Sequence, residues 1–251
     1  MSFKLVSLNL WLGGKLLPNI LDFLRQEKPD ILILQEAYSG TDLALAERFR
    51  SLPLIQEALS LPFIFFSPAG FFPGAGVEFG NAILSRFPFQ ETETIFFDQP
   101  FASVPHHEDL SADHTLSPRN LQRVSVLIDN QSYQIFNTQG IWTCNDEDSE
   151  RRLLMSQTIV EQVRGRERVI LGGDLNVVPG TKTIANIEAQ LVNVFSGRLS
   201  STFNLRQKQN PKFADFAVDF VFASPDISVL NSTCPDVDVS DHLPLICEFE
   251  A

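Results

Sequence analysis

The stretch R-V-I-L-G-G-D-L-N, residues 168–176, decides how this chain is read. A short β-prone apolar run closes on Gly172-Gly173, which predicts a strand over residues 168–171 with a tight end. Asp174 follows at once and Asn176 two residues later, so the strand delivers an acid and an amide at its C-terminal end. Read alone, each also suits a turn or an N-cap. The same design recurs on either side. Leu8 leads into Asn9, I-L-I-L-Q stops at Glu36, and I-F-N-T stops at Gln139. Asp219 lies within V-D-F-V-F, and Ser240-Asp241-His242 stands directly before another apolar run. In α/β sheets, sites form where strand ends converge, because the loops there project side chains into a shared crevice.

Strands and helices alternate along the whole chain, with no internal repeat. Strands are predicted over residues 4–9, 30–35, 81–86, 218–223 and 243–249. Helices are predicted over 18–27, with Pro18 in its first turn, over 41–49 as a capped amphipathic segment, and over 149–163 and 180–190. Residues 146–150, D-E-D-S-E, read as an acidic N-terminus for the third helix, favourable to its macrodipole. Residues 122–128 and 132–138 flank Asp129-Asn130, whose turn chemistry predicts an antiparallel hairpin. The sheet is therefore mixed, and no Gly/Ser- or Pro-rich stretch is long enough for a linker. One α/β domain over residues 1–251 is the simplest account. The Phe-, Pro- and Gly-rich residues 61–89 suit either core strands joined by turns or an apolar loop touching lipid; aromatic residues favour buried strands.

Charge narrows the function. The chain has 251 residues, with 19 Lys+Arg against 31 Asp+Glu and a formal net charge of −12. Its whole-molecule field repels polyanions, which argues against tight nonspecific duplex binding. It leaves room for an enzyme that handles phosphate through a cation. No apolar run approaches the roughly 20 residues of a bilayer span. Residues 1–6 lack the zones of a signal peptide, and the 3 cysteines are odd in number and widely spaced. These features predict a soluble cytoplasmic protein.

The strand-end residues make chemical sense together. Carboxylates with an amide oxygen suit a hard cation such as Mg²⁺, and a His with a nearby Asp suits proton handling or transition-state stabilisation.

Six motifs in order also carry a family resemblance: S-L-N-L-W at 7–11, L-Q-E at 34–36, G-N-A-I-L-S-R at 80–86, G-G-D-L-N at 172–176, D-F-V-F at 219–222 and S-D-H-L-P-L at 240–245. Together they resemble the endonuclease/exonuclease/phosphatase superfamily of metal-dependent phosphoesterases. The resemblance implies a four-layer α/β/β/α sandwich, two packed mixed β-sheets flanked by helices. It implies Glu36 as the main Mg²⁺ ligand (Mn²⁺ as a substitute), Asn9 beside it, and Asp241 completing the acidic metal pocket. It further implies Asp174 as the residue that positions or deprotonates the attacking water, with Asn176 holding that water and a phosphate oxygen. His242 would stabilise the transition state and Asp219 would orient His242. The expected partner is a phosphoester substrate, a small molecule or a short nucleic acid.

One position departs from the pattern. Many relatives carry His where this chain has Gln139, in N-T-Q-G at 137–140. A neutral amide donates a hydrogen bond to phosphate but cannot act as an acid near neutral pH. The alternative is thus a catalytically impaired binding protein of the same fold. Arg86 and Arg119 could face phosphate but read first as solvated strand residues, and residues 100–118, with His106, His107 and His114, suit a mobile substrate loop or a weak metal site but read first as an ordinary variable loop.

Overall fold

The computed structural model describes residues 2–251 apart from Leu110 and Asp146. In chain order the strands are β1 (Ser2–Asn9), β2 (Ile31–Tyr38), β3 (Phe63–Phe72), β4 (Val77–Ser85), β5 (Phe89–Phe96), β6 (Ala102–Ser103), β7 (Asn120–Ile128), β8 (Gln131–Gln139), β9 (Val169–Asp174), β10 (Val192–Asn193), β11 (Asp219–Ala223), β12 (Val229–Thr233) and β13 (Leu245–Glu250). The helices are α1 (Leu17–Glu27), α2 (Ser51–Leu59), α3 (Glu150–Val163) and α4 (Lys182–Glu188).

The strands form two mixed sheets, ordered β12-β13-β1-β2-β4-β3-β6 and β10-β11-β9-β8-β7-β5. Period-two alternation sorts their side chains into layers. Leu5, Ile31, Ile33 and Ile83 of the first sheet meet Val124, Val126, Ile135, Ile170 and Val221 of the second. Val6, Leu8, Leu32 and Leu34 point the other way, onto Leu17, Ile20 and Leu24 of α1 and Leu52 and Ile55 of α2. Leu121, Phe136, Leu171 and Phe222 face α3 and α4 in the same manner. This is the expected four-layer α/β/β/α sandwich.

Polar residues stitch the inner faces together. Asn137 on β8 donates to the carbonyls of Leu34 (2.9 Å) and Ala82 (3.1 Å), and accepts from Gln35 Nε2 at 2.7 Å. Gln122 on β7 reaches Phe65 O at 2.7 Å, and Asn81 on β4 reaches Asn120 O at 3.0 Å. Every link runs from one sheet to the other. Within residues 61–89, Phe65, Phe66, Phe72 and Phe79 are strand residues packed into these cores.

Two local expectations need correction. The helix predicted over 41–49 is instead a turn followed by a 3-10 segment, Glu47–Arg50, and then α2. Asp42 is spent on the turn, accepting from Ala44 N at 2.8 Å, while Arg50 donates to Asp42 O. Leu43 is 82% exposed, so the apolar stripe begins only with Leu52 and Ile55, and Pro53 occupies the first turn of α2, where its missing N–H costs nothing. The second concerns D-E-D-S-E. Asp146 of that run lies outside the described residues; Ser149 caps α3, accepting from Arg152 N, and Glu150 alone occupies the first turn. Asp148 turns away and accepts from Lys182 N (2.8 Å) and Thr183 N (2.9 Å) at the start of α4. Among the described residues no helix is long and apolar enough to cross a membrane.

Candidate active site

Register explains why the strand-end residues meet. On neighbouring strands of the second sheet, Gln139 pairs with Asp174 in parallel and Asp219 pairs with Asp174 antiparallel. The three side chains therefore stand abreast at one sheet end. In the first sheet, Asn9 pairs with Gln35 in parallel, which sets Asn9 beside the next residue, Glu36. A bulge between Leu34 and Ala37 adds a residue against β4, and Glu36 takes a left-handed φ of 55° there. A bulge re-aims a side chain. Gln35 consequently points into the inter-sheet seam, whereas Glu36 faces the site.

Two glycines explain the G-G of the opening stretch. A Cβ on Gly172 would stand 2.6 Å from Ile33 Cδ1 of the facing sheet. One on Gly173, whose φ is +140°, would stand 1.9 Å from Thr138 O of β8. The pair permits close sheet packing directly beneath Asp174.

The resulting cavity, about 470 Å³, is lined by Glu36, Gln139, Asp174, Asn176, Asp241 and His242. Asn9 lies just behind. Its Nδ2 donates to Glu36 Oε1 (3.4 Å) and to Asp174 Oδ2 (3.0 Å), so a single small donor spans both carboxylates. Glu36 Oε1 also accepts from Gln139 Nε2 at 2.8 Å, and Oε2 from Leu12 N at 2.5 Å. Asp174 Oδ1 accepts from Asn176 N at 2.9 Å. The Asn176 turn is itself held by Arg152 of α3, which is buried and donates to the Asn176 carbonyl.

On the other wall His242 Nδ1 lies 2.8 Å from Asp219 Oδ2, which also accepts from Thr202 Oγ1 at 2.6 Å. Asp174, Asp219 and His242 each place a ligand atom within 4.8 Å of the others. Asp241 stands apart from Glu36's contacts, its Oδ2 lying 2.8 Å from Lys208 Nζ.

Burial and like charge govern the electrostatics. Desolvation raises Asp174 to about 7; the nearby His242 and the Asn176 N–H oppose that rise, whereas Asp219 and Glu36 add to it. Burial alone would lower His242, but Asp219, Asp174 and Asp241 outweigh it and raise the imidazole to about 10. The donor set suits a hard divalent ion. Glu36 and Asp174 offer carboxylate oxygens close enough to share one partner, and their mutual repulsion is what a cation relieves. Asp219 suits an ion less, being occupied by Thr202 and His242.

All eight predicted residues are thus gathered at the same end of the two sheets. Two expectations fail nearby. Arg119 is not solvated: it is 5% exposed, lines the cavity, and donates to the carbonyls of Gly140 (3.3 Å) and Pro118 (3.1 Å). It immediately precedes β7, whose first residues oppose the end of β8, so it shares a sheet end with Gln139. Residues 100–118 are no ordinary loop either. Glu108 is gripped by Arg48 (2.8 Å) and Lys15 (2.9 Å), the rings of His106 and His107 pack on Phe72, and His107 and His114 line the cavity. Burial drops His107 to about 2, so it stays neutral. Arg86, one residue past the end of β4, is half exposed and pairs with Asp30 at 2.8 Å, as a solvated residue should. Sequence reasoning missed Trp11, Trp142, Phe203, Phe213 and Lys208, which complete the wall. Trp11 stands in the S-L-N-L-W motif, but nothing in the local sequence distinguishes the other four.

Residues 6–242 match the model of the Endonuclease/Exonuclease/phosphatase family. No curated protein matches the sequence. Among solved structures, an endonuclease/exonuclease/phosphatase from Beutenbergia cavernae is similar at a TM-score of 0.77 and 18% identity, over 99% of this chain and 71% of that chain. A mannosyl-6-phosphatase from Bacteroides thetaiotaomicron is similar at 0.71 and 20%, over 99% and 100%. D. rerio TDP2 complexed with single strand DNA product is similar at 0.72 and 18%, over 100% and 99%. At these identities the likeness is one of fold.

Proposed function

The chain belongs to the endonuclease/exonuclease/phosphatase family of phosphoester hydrolases, and within it we propose a Mg²⁺-dependent enzyme acting on a small or short phosphoester, with Mn²⁺ able to substitute. The observation that carries this reading is the Asn9 amide, which donates to both Glu36 and Asp174 at 3.4 and 3.0 Å and so gathers two carboxylates of different sheets about one small group at the cavity. Glu36, with Asn9 beside it, would hold the ion. Bound there, it would supply positive charge to the phosphoryl oxygens in the transition state.

The remaining work falls to side chains. Asp174, raised to about 7, suits a group that orients water and takes its proton near neutral pH. Asn176 anchors that carboxylate through its N–H. His242, raised to about 10, remains an imidazolium and donates to the phosphoryl group as charge builds, with Asp219 and Thr202 fixing its ring. Gln139 donates to Glu36 and so holds that carboxylate in place. The relatives known as a mannosyl-6-phosphatase and as TDP2 with a single strand DNA product bracket the substrate classes. The net charge of −12 favours the small or short ones.

Purified protein should hydrolyse bis(p-nitrophenyl) phosphate or p-nitrophenyl phosphate with Mg²⁺ or Mn²⁺ and stop on chelation, and Glu36→Ala should abolish turnover. Activity indifferent to both treatments would sink the metal mechanism. Gln139 motivates one other reading, a binding protein with little turnover. If Gln139→His creates hydrolysis where the wild type has none, that second reading prevails.

A further inference from the structure

The segment after Thr202 is tied to the strand-end residues by backbone bonds. Asn204 N donates to Asp241 O (2.9 Å), Leu243 N donates to Thr202 O (2.7 Å), and Asn204 Nδ2 reaches Ser240 O (2.8 Å). Lys208 N returns to Asn204 O at 2.9 Å, closing a turn that brings the lysine back over Asp241. Its ammonium stands 2.8 Å from Asp241 Oδ2 and 5.6 Å from the ring centroids of both Phe203 and Phe213. Those rings meet edge to face at 4.8 Å, and Phe203 lies 4.6 Å from the His242 ring. Cation–π contact and an ion pair thus fix one positive charge in the wall of the cavity.

Asp241 is correspondingly engaged. Its side chain is 4% exposed, Oδ2 faces Lys208, and Oδ1 accepts from Ser240 Oγ at 3.3 Å. The Ser240 hydroxyl has a single proton and also donates to Asn9 O at 2.7 Å, so Lys208 is the principal partner of this carboxylate, and a divalent ion must displace that cation to bind Oδ2. Lys208 keeps further N–H donors: an ammonium has three, and among the described residues Asp241 alone pairs with it. Its side chain is 33% exposed and faces the same cavity as Glu36 and Asp174.

We propose that Lys208 is the built-in second cation of this site, holding Asp241 so that the chain takes a single divalent ion, at Glu36. The proposal rests on the metal-dependent reading of the site. It is tested by counting bound Mn²⁺ with no substrate present, from the loss of the free-ion electron paramagnetic resonance signal. Wild type and Lys208→Arg should bind one ion per chain. Lys208→Ala, which frees Asp241, should bind a second, weaker ion, and Glu36→Ala should lose the first. Thermal melts followed by circular dichroism should find the three variants folded, since Lys208 is partly exposed and Glu36 faces the cavity. Two ions in the wild type, or only one in Lys208→Ala, would overturn the proposal and leave the metal reading standing. No bound ion in the wild type would overturn both.

Discussion

At the scale of single residues, the most telling contact is Gln139 Nε2 on Glu36 Oε1. A side chain that orients a metal ligand typically governs 10–100-fold in metal affinity. Gln139→Ala should therefore weaken Mn²⁺ binding by about 10–100-fold, read by titration, with little change in thermal stability. An unaltered affinity would mean that Gln139 does not steady Glu36. The Asp219–His242 pair makes a pH prediction. His242 is held near 10 chiefly by the charge of Asp219, so wild-type kcat/KM should not lose its imidazolium until that region. Asp219→Asn removes the charge and leaves burial to lower the pKa; the alkaline limb should then move down in pH. The folding linkage has the same sign. His242 is raised above its ordinary value, so its contribution is fully present below about pH 6.5 and is lost as pH climbs towards 10. Melting temperature should fall across that window more in the wild type than in Asp219→Asn. Residues such as Glu36, Asp174 and His242 were legible because an acid or imidazole at the end of an apolar run demands an explanation. Arg119, Phe203 and Lys208 were not, because only the register and a distant backbone turn bring them to the site.

At the scale of elements, caps and glycines decide. Asp148 joins the lead-in of α3 to the first turn of α4 through two backbone donors and Thr183 Oγ1. Asp148→Ala should cost about 1–2 kcal/mol, measured as a shift in the urea midpoint at constant m-value. Gly173→Ala should be far worse, more than about 3 kcal/mol or no soluble protein, because the new carbon overlaps Thr138 O at an unfavourable φ. Sequence pattern exposed β1, β2, β4, β7, β8, β9, β11 and β13 and three of the four helices, since each buries an apolar face; β3 stayed ambiguous within the Phe-rich stretch, and the edge strands β5, β6, β10 and β12 carry no such signal. The pattern misplaced α2 because Thr41 and Asp42 resemble a cap, and only the tertiary structure shows Asp42 closing a turn. The bulge that turns Glu36 inward also left no local mark, since a one-residue insertion is defined by the partner strand.

At the scale of the whole molecule, the net charge of −12 makes a prediction about substrate length. As salt shortens the Debye length from about 30 Å to about 10 Å, like-charge repulsion weakens. The rate on a long single strand should then rise relative to that on a dinucleotide, and a fall in that ratio would reveal a basic track. Sandwich architecture was foreseeable from alternating strands and helices together with the family motifs. The division of the site between two sheets was not, since no stretch of sequence states which strands share a sheet.

That division gives the polar seam a further meaning. Glu36 hangs from one sheet and Asp174 from the other, with Asn137 pinned between the sheets to Leu34 O, Ala82 O and Gln35. Apolar faces attract in proportion to area and are indifferent to small sideways slips. Hydrogen bonds are not, so the seam works like a dowel through two boards. Asn137→Leu should cost about 1–3 kcal/mol in stability by orphaning its partners. Protein that is still folded should also turn over more slowly, because the two halves of the catalytic gap have lost their common reference. The tolerance of the chemistry is set several residues below the surface on which it takes place.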